Sequence, residues 1–269
     1  MYPYPIIWDL DLYSVFLCIG VVAAVLTVRI FCDKKKIYWK LQNFCVISAV
    51  ASVIVGYFFA VFFQALYNIE KRGGFVIDKA TGATFYGGLI GGTACFLAIY
   101  FGIGHFFFKE KQNVKSFFTI ADIAAAAIAV AHGFGRIGCL MSGCCHGGVT
   151  DAWYGIYMHT LGAKAVPLQL YEALFLFALF GFFVYRLIKN KSCNLPLYMV
   201  IYGVWRFVIE FFRRDYRGST VVDFLSPSQF IALIMILGSV ALYFGQKYIM
   251  KKQAASIEKC ENKEGSDEK

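Results

Sequence analysis

Between residues 132 and 148 the chain reads H-G-F-G-R-I-G-C-L-M-S-G-C-C-H-G-G. His132, Arg136 and Cys139 are spaced i, i+4 and i+7, which places an imidazole, a guanidinium and a thiol on one face of a helix. Cys144, Cys145 and His146 follow directly. These residue types suit four chemistries: a metal, a disulfide, a nucleophilic thiol, or an anionic headgroup held by the arginine. A second charged group, W-R-F-V-I-E-F-F-R-R-D-Y-R, sets Arg206 and Glu210 at i, i+4, with Arg213 and Arg214 one turn further. An Arg206–Glu210 pair would neutralise both charges and would also hold the guanidinium in a fixed pose for a ligand. A guanidinium stays charged at any relevant pH and its forked donors match a phosphate. Arg136 and Arg206, on different helices at similar depth, would therefore make a phosphate clamp.

Two further stretches bring polar groups or free backbone to apolar surroundings. T-F-Y-G-G-L-I-G-G-T, residues 84–93, has two readings. Its glycines can serve close helix packing, or Gly87 and Gly88 can let the backbone approach a headgroup, with Tyr86 supplying a hydroxyl. P-L-Q-L-Y-E, residues 167–172, has a proline suited to a helix start, followed by Gln169, Tyr171 and Glu172.

The elements that must position these groups are membrane spans. Of 269 residues, 59% are hydrophobic and only 16% charged, against about 25% charged in a soluble domain. A spanning helix needs about 20 mostly apolar residues. Seven runs qualify, at about 11–31, 42–66, 84–108, 117–141, 167–188, 195–212 and 225–249. The expected fold is all-α, a polytopic integral membrane protein with about seven transmembrane helices. Residues 1–250 are expected to form one transmembrane domain, and the polar tail 251–269 to be disordered.

The net charge of +9 sits in short clusters between the apolar runs, which argues for membrane orientation and against nucleic acid. Lys34, Lys35, Lys36 and Lys40, then Lys109, Lys111 and Lys115, then Arg186, Lys189 and Lys191, and finally Lys251 and Lys252 fall on one side. The opposite side carries Lys71, Arg72, Lys79, Lys164 and the group Arg213, Arg214 and Arg217. The bias places the N-terminus outside and the C-terminus in the cytoplasm. Three arginines on the disfavoured side suggest a ligand. The N-terminal stretch holds Asp9 and Asp11 without a basic region, so no cleavable signal peptide is expected. Nine cysteines cannot all pair within the chain. Cys18, Cys45 and Cys95 are expected to pack as small hydrophobes.

H-G-F-G-R-I-G-C, F-Y-G-G-L-I-G-G, P-L-Q-L-Y-E, Y-G-V-W-R-F-V-I-E-F-F-R and L-S-P-S-Q-F stand in the order seen in the prolipoprotein diacylglyceryl transferase family. The chain resembles that family from about residue 10 to 245. The resemblance implies a bacterial inner-membrane enzyme with its active site toward the outer face. Such an enzyme transfers the diacylglyceryl group of phosphatidylglycerol to the lipobox cysteine of a preprolipoprotein and needs no cofactor or metal. It implies that Arg136 is the signature arginine, with Gly138 and Cys139 beside it, and that Arg206 and Glu210 are the charged pair of the penultimate span. Tyr13 resembles the tyrosine of the family's first-span motif. Tyr86, Gly87, Gly88, Gln169, Tyr171 and Arg213 would line the headgroup pocket.

The departures are specific. Tyr86 stands where the family carries a histidine, Val166 where another is usual, Cys139 where an asparagine is expected, and Cys144 where a glutamate is expected. Four readings of C-L-M-S-G-C-C-H stay open. Cys144 is an active thiol with His132 or His146 as base; Cys139 and Cys144 form a disulfide; Cys139, Cys144, Cys145 and His146 bind zinc; or the residues are small and simply pack. Two other functions stay open as well. One is a paralogue on the same fold that uses its cysteines to transfer a lipid-derived group to another acceptor. The other is a non-catalytic lipid- or metal-binding membrane protein.

Overall fold

The computed structural model describes residues 4, 10–78, 80–213 and 225–267. Asp9, Lys79, Arg214 and Arg217, singled out above, lie outside the described residues. Among those described, seven helices are long and apolar enough to cross a membrane. They are α1 (Leu12–Lys34), α2 (Trp39–Tyr67), a compound third span, α6 (Gln112–Ser142), α7 (Leu168–Ile188), α8 (Asn194–Ile209) and α9 (Pro227–Asp267). A short α3 (Ile69–Arg72) follows α2. The third span is α4 (Phe85–Leu97), a π-helical turn (Ala98–Ile103) and α5 (Gly104–Phe107). All seven expected spans are present. Past Lys251, α9 runs on as helix to Asp267. That tail, K-Q-A-A-S-I-E-K-C-E-N-K-E, is rich in alanine, glutamate and lysine, which favour helix even when polar.

The chain forms two compact units, residues 32–117 and residues 1–31 with 118–269. In the first, α2 and α4 meet along a glycine seam. A Cβ built on Gly56 would lie 2.9 Å from Gly88 O, one on Gly87 would lie 2.8 Å from Phe59 O, and one on Gly91 would overlap Phe59 Cγ at 2.3 Å. The glycines of the F-Y-G-G-L-I-G-G motif thus permit backbone-to-backbone helix contact. Around the π turn, Tyr100 Oη donates to Asn113 O at 2.8 Å, and Asn113 Nδ2 donates to Tyr100 O at 3.0 Å.

In the second unit α6 is the most buried span, half of its apolar window being covered by protein. At one end Asp122 of α6 serves as a cap for α8. Its carboxylate accepts the backbone N–H groups of Cys193 at 3.0 Å and Asn194 at 2.7 Å, and Gln246 Nε2 of α9 at 3.0 Å. The helix start, which otherwise leaves backbone donors unmet, is satisfied by a neighbouring helix. At the other end, the loop after α6 carries a small antiparallel hairpin that the sequence reading did not anticipate. It is formed by β1 (Ile156–Met158) and β2 (Ala163–Ala165), with Tyr157 opposite Lys164. Met158 and Ala165 bury against Leu140 of α6. These strands are three residues each, too short for alternation to register in a sequence.

Candidate functional site

The hairpin end of this unit gathers the charged residues. Gly143, with φ +72°, takes the left-handed conformation that ends α6. The following turn is held on both sides: Thr160 Oγ1 donates to Gly143 O at 2.7 Å, and Gln169 Nε2 donates to Cys144 O. Gly147 N donates to Val166 O at 2.9 Å, and Gly147 also bridges to Arg213 at the end of α8. Pro167 precedes α7, and the helical phase from there turns Gln169 and Glu172 inward while Tyr171 stays on an exposed face.

Arg136 is held by two partners. Its Nε lies 3.0 Å from Glu172 Oε2 and donates to His132 Nε2 at 3.2 Å. Tyr202 Oη donates to the other carboxylate oxygen, Glu172 Oε1, at 2.9 Å, and the Tyr202 ring meets the His132 ring edge-on with centroids 4.9 Å apart. The Glu172 side chain is 1% exposed. A buried carboxylate is stable only when paired and hydrogen-bonded, and here both oxygens are engaged.

Arg206 forms the second centre. Its Nη2 stands 2.9 Å from Glu210 Oε2 and donates to Ser228 Oγ at 2.8 Å. Glu210 Oε1 accepts Ser226 Oγ at 3.1 Å, and Arg213 Nε is 3.9 Å from Glu210 Oε2. The Arg206–Glu210 contact is an ion pair without hydrogen-bond alignment, so Glu210 Oε2 has no hydrogen-bond donor among the described residues. Arg206 Nη1 is also buried without a partner among them. Tyr202, which donates to Glu172, stands one turn before Arg206 on α8, so one helix carries both centres.

The serines come from L-S-P-S-Q-F. Ser226 Oγ accepts Gln229 N at 3.2 Å while Ser226 N donates to Gln229 Oε1 at 3.1 Å, a reciprocal capping box with Pro227 at the first helical position. The motif thus starts α9 and presents two hydroxyls to the Arg206–Glu210 pair.

The structure assembles several of the sequence candidates and separates others. Gly138 and Tyr13 come together, since a Cβ on Gly138 would lie 3.0 Å from Tyr13 Cδ2. Asp11 caps α1 by accepting Ser14 N at 2.8 Å and so fixes the turn that carries Tyr13. His132, read as a base for a cysteine, has Arg136 as its hydrogen-bond partner instead. Gln169 uses its amide nitrogen to hold the Cys144 carbonyl, leaving Oε1 buried and unmet among the described residues. Tyr86, Gly87 and Gly88 belong to the other unit, where the two glycines pack on α2.

Glu172, Tyr202, Ser226 and Ser228 were quoted within motifs but not picked as site residues. Signals for them exist. Tyr202, Arg206 and Glu210 share the i, i+4, i+8 face of α8, Glu172 is in phase with Gln169, and S-P-S-Q has the capping-box spacing.

The cysteines form a third group. The Sγ atoms of Cys139, Cys144 and Cys145 lie within 4.8 Å of one another. No disulfide joins cysteines among the described residues. Cys144 Sγ donates to Cys139 O at 3.7 Å. The adjacent sulfurs of Cys139 and Cys145 push the Cys144 thiol above its ordinary range. His146 Nδ1 donates to the Gly147 carbonyl at 2.8 Å.

Fold and site together define a multi-pass helical membrane protein with buried, carboxylate-steered arginines at one end of its spans. The profile of the prolipoprotein diacylglyceryl transferase family matches residues 5–245. A phosphatidylglycerol–prolipoprotein diacylglyceryl transferase 2 of Clostridium perfringens is 33% identical over 211 residues, covering 76% of this chain and 78% of the relative. The transferase of the same name from Clostridium tetani is 30% identical over 241 residues, covering 86% and 91%. One from Clostridioides difficile is 27% identical over 220 residues, covering 80% of each. The chain belongs to the prolipoprotein diacylglyceryl transferase family.

Proposed function

We propose that this chain transfers the diacylglyceryl group of phosphatidylglycerol to the lipobox cysteine of a prolipoprotein, with Arg136 and Arg206 as the groups that hold the phosphate. In that reaction the cysteine sulfur bonds to the terminal glycerol carbon of the lipid. The carbon–oxygen bond to phosphate breaks, glycerol phosphate leaves, and the thiol proton passes to a base. Negative charge gathers on the departing phosphate. Fixed donors aimed at that charge stabilise the transition state more than the ground state.

One observation carries this reading. The Arg206 guanidinium is buried and steered by Glu210 and Ser228, yet keeps the Nη1 donor unmet among the described residues. A buried cationic N–H without an acceptor is costly, and a phosphate oxygen would satisfy it. Glu172 and Tyr202 would act through Arg136 as positioning residues. Arg213, Gly138, Cys139, Tyr13, Gln169 and Tyr171 would border the lipid. The lysine clusters support a cytoplasmic C-terminus and a site facing the outer side of a bacterial cytoplasmic membrane.

The test is direct. Purified protein is incubated with labelled phosphatidylglycerol and a lipobox peptide, and the peptide is analysed by mass spectrometry. A diacylglyceryl thioether on the cysteine is expected. An unmodified peptide together with retained lipid binding would overturn the assignment of acceptor.

A further inference from the structure

Cys139, Cys144 and Cys145 form a thiol group of their own at the end of the helix that carries Arg136. We propose that these three thiols bind one thiophilic closed-shell metal ion, Zn2+ or Cu+, and that the ion fastens the turn after α6 to the helix end. The three sulfurs are already within 4.8 Å of one another. Sulfurs sharing one such ion lie about 4 Å apart, given metal–sulfur bonds of about 2.3 Å. The difference to close is under about 1 Å.

The scaffold holds the ligands where they are needed. Cys139 sits on the last turns of α6, and its carbonyl accepts Cys144 N at 3.1 Å. Thr160 and Gln169 hold the carbonyls of Gly143 and Cys144. Gly143 and Cys145 both take left-handed backbone, with φ of 72° and 65°. These two turns bring thiols that are adjacent in sequence to one point, which resolves the awkwardness that C-C would otherwise impose. Three sulfur donors select soft ions over magnesium or calcium. Cu+ accepts three sulfurs alone, whereas Zn2+ completes its shell with a solvent water, and Cys144 is exposed enough to admit either. Binding replaces three thiol protons with one ion, leaving a net negative cluster.

Full-length protein, purified in detergent under reducing conditions and stripped with a chelator, is titrated separately with Zn2+ and with Cu+ against a competing chromophoric chelator. A parallel sample receives Co2+ and is followed by absorption. One ion per chain and a thiolate-to-cobalt charge-transfer band are expected. Cys139→Ser, Cys144→Ser and Cys145→Ser should each weaken binding by at least about tenfold, as loss of a supporting contact already does at such sites, while Cys18→Ser leaves it unchanged. Tight binding of only one of the two ions supports the site and identifies its metal. Failure of both Zn2+ and Cu+ to bind the unsubstituted chain would overturn the proposal, whatever the variants do. So would stoichiometric binding that survives loss of all three cysteines. None of these readouts depends on transferase activity.

Discussion

Arg136 is the residue on which most of the geometry converges, because its single Nε faces both Glu172 and His132. Replacing it with alanine should lower thioether formation by roughly 10²–10³-fold, the usual cost of losing a transition-state donor. Arg136→Lys should rescue little, since an ammonium reproduces the charge but not the planar fork. Activity within a few-fold of the parent in the peptide assay would remove Arg136 from the phosphate site. Tyr202→Phe is a milder probe. It takes one hydrogen bond from buried Glu172, and thermal unfolding in detergent should register a loss of about 1 kcal/mol. Glu172→Ala is the severe case, because a buried guanidinium loses its counter-charge, and roughly 3–5 kcal/mol is expected to disappear from folding stability.

Single helices carry their own constraints. The seam between α2 and α4 has no room for a methyl group at Gly91, where a Cβ would meet Phe59 Cγ at 2.3 Å. Gly91→Ala should therefore destabilise by about 1–3 kcal/mol through overpacking. A variant that melts with the parent would show that the seam can relax. Asp122 makes the opposite kind of contact, one carboxylate serving backbone donors of α8 and a side chain of α9. Asp122→Ala leaves buried donors without acceptors, and about 2 kcal/mol of stability should be lost. Transfer activity per folded molecule should hardly change, because Asp122 lies at the end of the unit away from Arg136. The capping box at Ser226 and Gln229 joins the two roles, since the serine that starts α9 also touches Glu210.

At the scale of the chain, the proposed orientation makes a topological prediction. A reporter that is active only outside the cytoplasm should be active when fused after Ala152, between α6 and the hairpin, and inactive when fused after Lys36. The reverse pattern would invert the protein and place the site on the cytoplasmic side.

The spans, their number and their approximate limits were legible in the sequence, because twenty consecutive apolar residues have few other stable fates. The charged residues of the site were legible too, since arginine and glutamate at such depth demand partners. The Arg206–Glu210 pair was legible from its i, i+4 spacing, but the partners of Arg136 were not. The fold sets Arg136 and His132 in a network with Glu172 and Tyr202, on helices far apart in sequence. The short hairpin and the meeting of three sulfurs likewise depend on left-handed backbone at Gly143 and Cys145 and on hydrogen bonds from Thr160 and Gln169. The sequence by itself determined a seven-span membrane protein with costly charges at the ends of particular helices. Tertiary structure alone decided which groups of other helices share those charges, because hydropathy and helical phase act within a segment, while a contact between segments is settled by which segments touch.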